Sequence, residues 1–200
     1  MERIYYRDQV LETIARKVLC AYDAILFYGD PQPIPVEEII ESYGISLEYQ
    51  YLRKNGRILG KTIFDDGLEA VYDQEQGMYI LFPVKAGTIL IDASLCENRD
   101  AVGRLRFTCA HELAHWILHK KLYQGTGESA AMTFAAQEDD MEIQANILAS
   151  AVLMPIPQVK RAFYRLRAGR KTETLVTDMA VLFQVSKQAM RIRLRNHHLI

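Results

Sequence analysis

The 200 residues predict an α+β fold, with a small antiparallel or mixed sheet packed on helices and a helical C-terminal segment. Three patterns lead there. Apolar residues recur at helical spacing over 8–27, at Val10, Leu11, Ile14, Val18, Ala21 and Ile25. Five short β-type runs then follow one another between 45 and 92, each bounded by turn-forming residues. From about 100 onward, long apolar-periodic stretches return with helix-stopping prolines at Pro155 and Pro157.

Taken in order, the first helix is expected over 8–27 and is broken by the proline-rich stretch at 31–35. A short helix over 36–43 ends at Gly44, a residue suited to a left-handed C-cap. The β-type runs cover 45–51, 57–64, 68–72, 78–82 and 88–92, with turn signals at 54–56, 65–67, 73–77 and 85–87. Their close succession favours an antiparallel meander. Helices are expected over about 100–118 and 139–153, joined through a polar, Gly-containing loop at 124–128. The remainder reads as two or three short helices, so the chain divides into a core over 1–155 and a basic helical subdomain over 156–200 packed on it.

Half the residues are hydrophobic and 24% are charged, the balance of a globular protein with a real core. Cys20, Cys96 and Cys109 are few and irregularly spaced, which speaks for reduced, buried thiols and against a disulfide framework or a cysteine-type metal site. The N-terminus has no apolar signal core and no apolar run nears membrane-spanning length, so a cytoplasmic protein with no membrane partner is expected. The net charge of −1 hides an asymmetry: +8 over 156–200 against −9 over 1–155.

The chemistry sits in His-Glu-x-x-His at His111, Glu112 and His115. Residues four apart on a helix share one face, so His111 and His115 can grip a single Zn²⁺. Glu112 points to the neighbouring side, where a water on the metal would need a base. A catalytic zinc takes a third protein ligand. His119 lies on the same face but about 12 Å from His111 along the axis, too far for both to converge on one ion. It reads instead as a cation near the helix C-terminus, favoured by the dipole. The next helix offers Glu142, with Ala145 and Ala149 small enough to let the helices approach and Asn146 able to hydrogen-bond a ligand imidazole. Glu138, Asp139 and Asp140 remain rivals on position alone.

The run RFTCAHELAHWILH over 106–119, followed by EIQANILASAVLMP over 142–155, resembles the ImmA/IrrE family of zinc-dependent metallopeptidases. The likeness extends more weakly to 36–51 and 180–194, in all about half of the chain. Two positions depart from the family's habit: Ala114 stands where Gly is frequent, and Ile147 and Leu148 where Phe-Ala is. The resemblance implies a zincin-like core with a gluzincin-like site, His111, His115 and Glu142 on Zn²⁺ and Glu112 as the catalytic carboxylate. It also implies a task, hydrolysis of a peptide bond in a helix-turn-helix repressor of mobile-element or stress-response genes.

The tail run AVLFQVSKQAMRIRL over 180–194 resembles a helix-turn-helix core. Ala180 would pack where two helices meet, Ser186 would cap the second, and Met190 and Leu194 would anchor it. Lys187, Arg191, Arg193 and Arg195 would then face phosphate or an acidic partner surface. A subdomain packed on the core with a solvated basic face is favoured over nucleic-acid binding. The leading expectation is a zinc endopeptidase; the competing one is a DNA- or repressor-binding regulator with a silent peptidase site. Tyr123 is a possible oxyanion donor that no spacing fixes.

Overall fold

The computed structural model describes residues 6–54, 57–97, 101–123 and 138–200. The expected loop at 124–128 and part of the turn at 54–56 lie outside the described residues. Helix α1 (Asp8–Tyr22) buries Leu11, Ala15, Val18 and Leu19, one face at helical spacing. It is shorter than the pattern suggested. Asp23 leaves helical geometry and its Oδ1 accepts the Ile25 N–H, which starts the separate turn of helix α2 (Ile25–Tyr28). Helix α3 (Val36–Ser42) is followed by Gly44 at φ +71°, the left-handed conformation expected there.

The strands are β1 (Ser46–Gln50), β2 (Gly60–Ile63), β3 (Gly67–Asp73), β4 (Met78–Val84) and β5 (Thr88–Asp92). They do not form the expected meander. A three-stranded mixed sheet runs in the order β1-β5-β2, with β1 parallel and β2 antiparallel to β5, while β3 and β4 form a separate hairpin. The reason is in β5: Ile89, Leu90 and Ile91 are all inaccessible to solvent, so both faces of this strand demand cover and it takes the central place. Ile89 and Ile91 join the main core with the helices; Leu90 joins a smaller cluster with Leu52, Ile63, Val71 and Val84 under the hairpin. Strands β3 and β4 carry exposed Leu68, Met78, Tyr79 and Leu81 and suit an outlying position.

After the single turn of helix α4 (Ser94–Glu97) come helix α5 (Val102–Tyr123) and helix α6 (Glu138–Leu153). These two pack along each other, and Ala110 and Ala114 on one and Ala145 and Ala149 on the other are all essentially inaccessible to solvent. Helices α7 (Ile156–Leu166), α8 (Thr172–Phe183) and α9 (Lys187–Asn196) complete the chain. Val159, Phe163, Leu175, Met179, Phe183, Met190 and Leu194 belong to the same hydrophobic cluster as α1, α5 and α6. Between α8 and α9, Gln184 adopts φ +52°, Ala180 is buried, and the Ser186 hydroxyl accepts the Ala189 N–H. Gly103 on α5 faces this turn: a Cβ there would stand 2.7 Å from the Ser186 nitrogen and 2.8 Å from the Val185 carbonyl carbon.

Among the described residues no helix is long and apolar enough to cross a membrane. The cysteines are unpaired, but only Cys109 is fully buried; Cys20 is half-buried and Cys96 exposed, which corrects the expectation of three buried thiols. Burial pushes the Cys109 thiol up to about 12.

Candidate metal centre

Helix α5 presents His111 and His115 one turn apart, and α6, packed along it, brings Glu142 to them. Their ligating atoms converge. His111 Nε2 lies 3.0 Å from His115 Nε2, and the Glu142 oxygens lie 3.2 Å from His111 Nε2 and 3.1 Å from His115 Nε2. Among the described residues these three form the group able to hold a metal ion. Asp139 and Asp140, rivals on position, are not in it; the Glu138 side chain lies outside the described residues. His111 Nδ1 is 3.1 Å from Asn146 Oδ1, and since an amide oxygen only accepts, the imidazole donates there and leaves Nε2 as a lone pair.

Three acceptors facing one another call for a cation between them. The electrostatics agree. Burial disfavours charge on His111, yet the hydrogen bond to Glu142 and the charges of Glu112 and Glu142 outweigh it, so its proton affinity is raised. A proton on His111 or His115 Nε2 would be donated to Glu142, and that attraction holds the Glu142 carboxylate far below the usual range. The field that binds a proton to His111 is the field a divalent ion would meet.

Glu112 is buried beside this cluster, and burial raises its pKa against the opposing pull of Thr62 and the two histidines. The Thr62 hydroxyl on β2 lies 2.7 Å from Glu112 Oε2 and 2.9 Å from the Glu112 carbonyl oxygen. Gly60, two residues earlier, lets the strand approach: a Cβ there would stand 2.7 Å from Glu112 Oε1 and 2.8 Å from both Glu112 Cγ and Thr108 Cγ2. Nothing local in the sequence marks Thr62 or Gly60 as part of the site; only the sheet order brings β2 to α5.

Among the described residues strand β2 is an edge strand, and a cleft of about 820 Å³ opens along it, lined by His111, Glu112, His115 and Glu142. Phe64 and Tyr123 stand in its wall, their rings stacked with centroids 4.3 Å apart.

A model of the peptidase M78 family, described as the IrrE N-terminal-like domain, matches residues 73–195, more than half of the chain. The chain belongs to this family. Comparison with curated proteins finds no match. In this M78 member the matched span holds His111, Glu112, His115 and Glu142, whereas Gly60 and Thr62 lie before it.

His119 is not the C-terminal cation expected. Helix α5 runs on to Tyr123, where Lys120 and Lys121 supply the basic last turn. His119 is buried with Nδ1 3.1 Å from His115 Nδ1, and burial with the neighbouring His115 lowers its pKa to about 4, which keeps it neutral. The four basic tail residues do not share a face either. Arg193 turns inward, donating from Nε to the Met154 carbonyl at 3.0 Å and pairing through its guanidinium with both Glu12 oxygens, so it cannot meet a partner. Arg191 pairs with Glu173, while Lys187 and Arg195 are exposed.

Proposed function

We propose that this protein is a zinc-dependent endopeptidase with a gluzincin-like site on a zincin-like core. In it His111, His115 and Glu142 hold the metal and Glu112 is the catalytic carboxylate. The observation that carries the reading is the spacing of the three ligand atoms. A tetrahedral ion with bonds of about 2.0 Å sets its ligands about 3.3 Å apart, close to the 3.0–3.2 Å found here. Two imidazoles and a carboxylate are also a donor set typical of catalytic zinc.

When bound, the zinc supplies Lewis acidity, acidifying a water and polarising the scissile carbonyl. Glu112 takes the proton of the attacking water on its carboxylate and passes it to the leaving amine. Its raised pKa suits a group that must both accept and return a proton. Thr62 holds Glu112 Oε2 in place, and Asn146 fixes the His111 ring. An extended substrate segment adds to the open edge of β2, which lays its backbone along the cleft. Tyr123, in the cleft wall, is a candidate oxyanion donor.

The substrate we propose is a helix-turn-helix repressor of mobile-element or stress-response genes, in the cytoplasm, supported by the family resemblance and by family membership. We propose that the 156–200 segment is a helix-turn-helix-like subdomain packed on the core and not a DNA reader. Internal Arg193 and paired Arg191 leave Lys187 and Arg195 as the exposed members of the supposed basic face without an ion pair among the described residues. Metal analysis tests the site: the wild-type protein should hold one zinc, and Glu142→Ala should lose at least tenfold in zinc affinity. Unchanged affinity would move the third ligand elsewhere.

A further inference from the structure

We propose that His119 is a positioning residue for the metal site, accepting the Nδ1 proton of His115 and so fixing that imidazole as a ligand. The inference rests on the proposed metal site and concerns a residue outside its ligand set.

Two imidazole nitrogens 3.1 Å apart, as His115 Nδ1 and His119 Nδ1 are, share one proton, and its owner decides what His115 can do. If His119 donated, His115 would carry its own proton on Nε2. That proton would point into the space between His111 Nε2 and Glu142, and His115 could not ligate. If His115 donates, its Nε2 presents a lone pair beside that of His111, and the site is complete. His119 must then hold its proton on Nε2. That atom is buried and has no hydrogen-bond partner among the described residues.

A histidine serving only to fill space would gain nothing from an orphaned polar atom, and an apolar ring of similar size would pack there without it. What offsets the orphan is the other nitrogen. Each ligand histidine then has its own acceptor at Nδ1, Asn146 for His111 and His119 for His115. Polar partners of this kind set the tautomer and ring orientation of metal-binding imidazoles. His119 comes from one turn further along α5 itself, so the helix that carries two ligands also carries the support for one of them.

The test is zinc affinity by competition with a chromogenic chelator, on wild type, His119→Phe and His119→Gln, with the thermal midpoint of each zinc-free protein. The phenyl ring keeps volume and removes the acceptor; the glutamine carbonyl restores one. The expected result is a 10- to 100-fold loss of affinity for His119→Phe, no fall in its zinc-free midpoint, and recovery of most of the affinity in His119→Gln. A second readout needs no variant: nitrogen NMR of the zinc-free wild type should find His115 protonated on Nδ1. Equal affinity in wild type and His119→Phe, or a His115 that carries no proton on Nδ1, would overturn the proposal while leaving the metal site standing. A wild type that binds no zinc would overturn both.

Discussion

Replacing Gly60 by alanine puts one methyl group where strand β2 meets the carboxylate of Glu112. The new Cβ would stand 2.7 Å from Glu112 Oε1, and an ordinary contact begins near 3.4 Å, so about 0.7 Å must be found. Two further contacts at 2.8 Å, to Glu112 Cγ and Thr108 Cγ2, press the same way. Strand β2 is held to β5 along one edge and to Glu112 through Thr62, so it has little freedom to retreat. The movable group is the Glu112 side chain, which is also the proposed base. A misplacement of about 1 Å at a reacting group costs on the order of 10²-fold in rate, so a shift of this size should lower kcat/KM by roughly 10- to 100-fold. The stability cost should be modest, about 1–2 kcal/mol, because a side chain yields before the backbone does. Gly103→Ala is the matched control. Its Cβ would meet the backbone of Val185 and Ser186, which cannot rotate away, so it should cost about 1–3 kcal/mol and leave catalysis within a few-fold. The assay is cleavage of the candidate repressor at verified zinc content, beside thermal unfolding. A Gly60→Ala protein that keeps its zinc and cleaves within threefold of wild type would refute the packing argument.

Three other outcomes follow from the same geometry. Thr62→Val removes the hydroxyl that meets Glu112 Oε2 while keeping its shape, and should lower kcat about 10-fold or more with little change in KM, whereas Thr62→Ser should retain most activity; steady-state kinetics decide it. Arg193→Met should destabilise the fold by about 2–4 kcal/mol, because it strips the guanidinium from Glu12, which keeps only the more distant His197 Nε2 at 3.4 Å among the described residues, and from the Met154 carbonyl; denaturant unfolding will measure that loss. The protein should give no salt-dependent retardation of DNA in a gel shift even at low salt, since two of its four candidate basic contacts are engaged within the fold.

The α5–α6 half of the site was legible because helical periodicity turns spacing into direction. The pairing of His111 with His115 follows from one turn of helix geometry, whereas Glu142 stands beside Glu138, Asp139 and Asp140 on position alone and is singled out only by the family resemblance. The β half was not. The order of strands depends on which strand is buried on both faces, and the short runs between 45 and 92 all look alike until β5 is seen as the central one. Thr62 and Gly60 reach Glu112 only through that order. His119 differs from expectation for a related reason: spacing gives its helix face, but α5 runs about five residues past the expected end, so a place expected for a C-terminal cation holds a buried neutral ring. Arg193 likewise sits in a basic run, and only the packing of α9 near α1 reveals that Glu12 claims it.

The proposed chemistry depends above all on Glu112. Glu112→Gln keeps the size of the side chain and an acceptor for the Thr62 hydroxyl but cannot take a proton. Measured on protein shown to hold one zinc per chain, cleavage of the candidate repressor should fall by at least 10²- to 10⁴-fold. Cleavage undiminished at full zinc occupancy would contradict the mechanism at its centre.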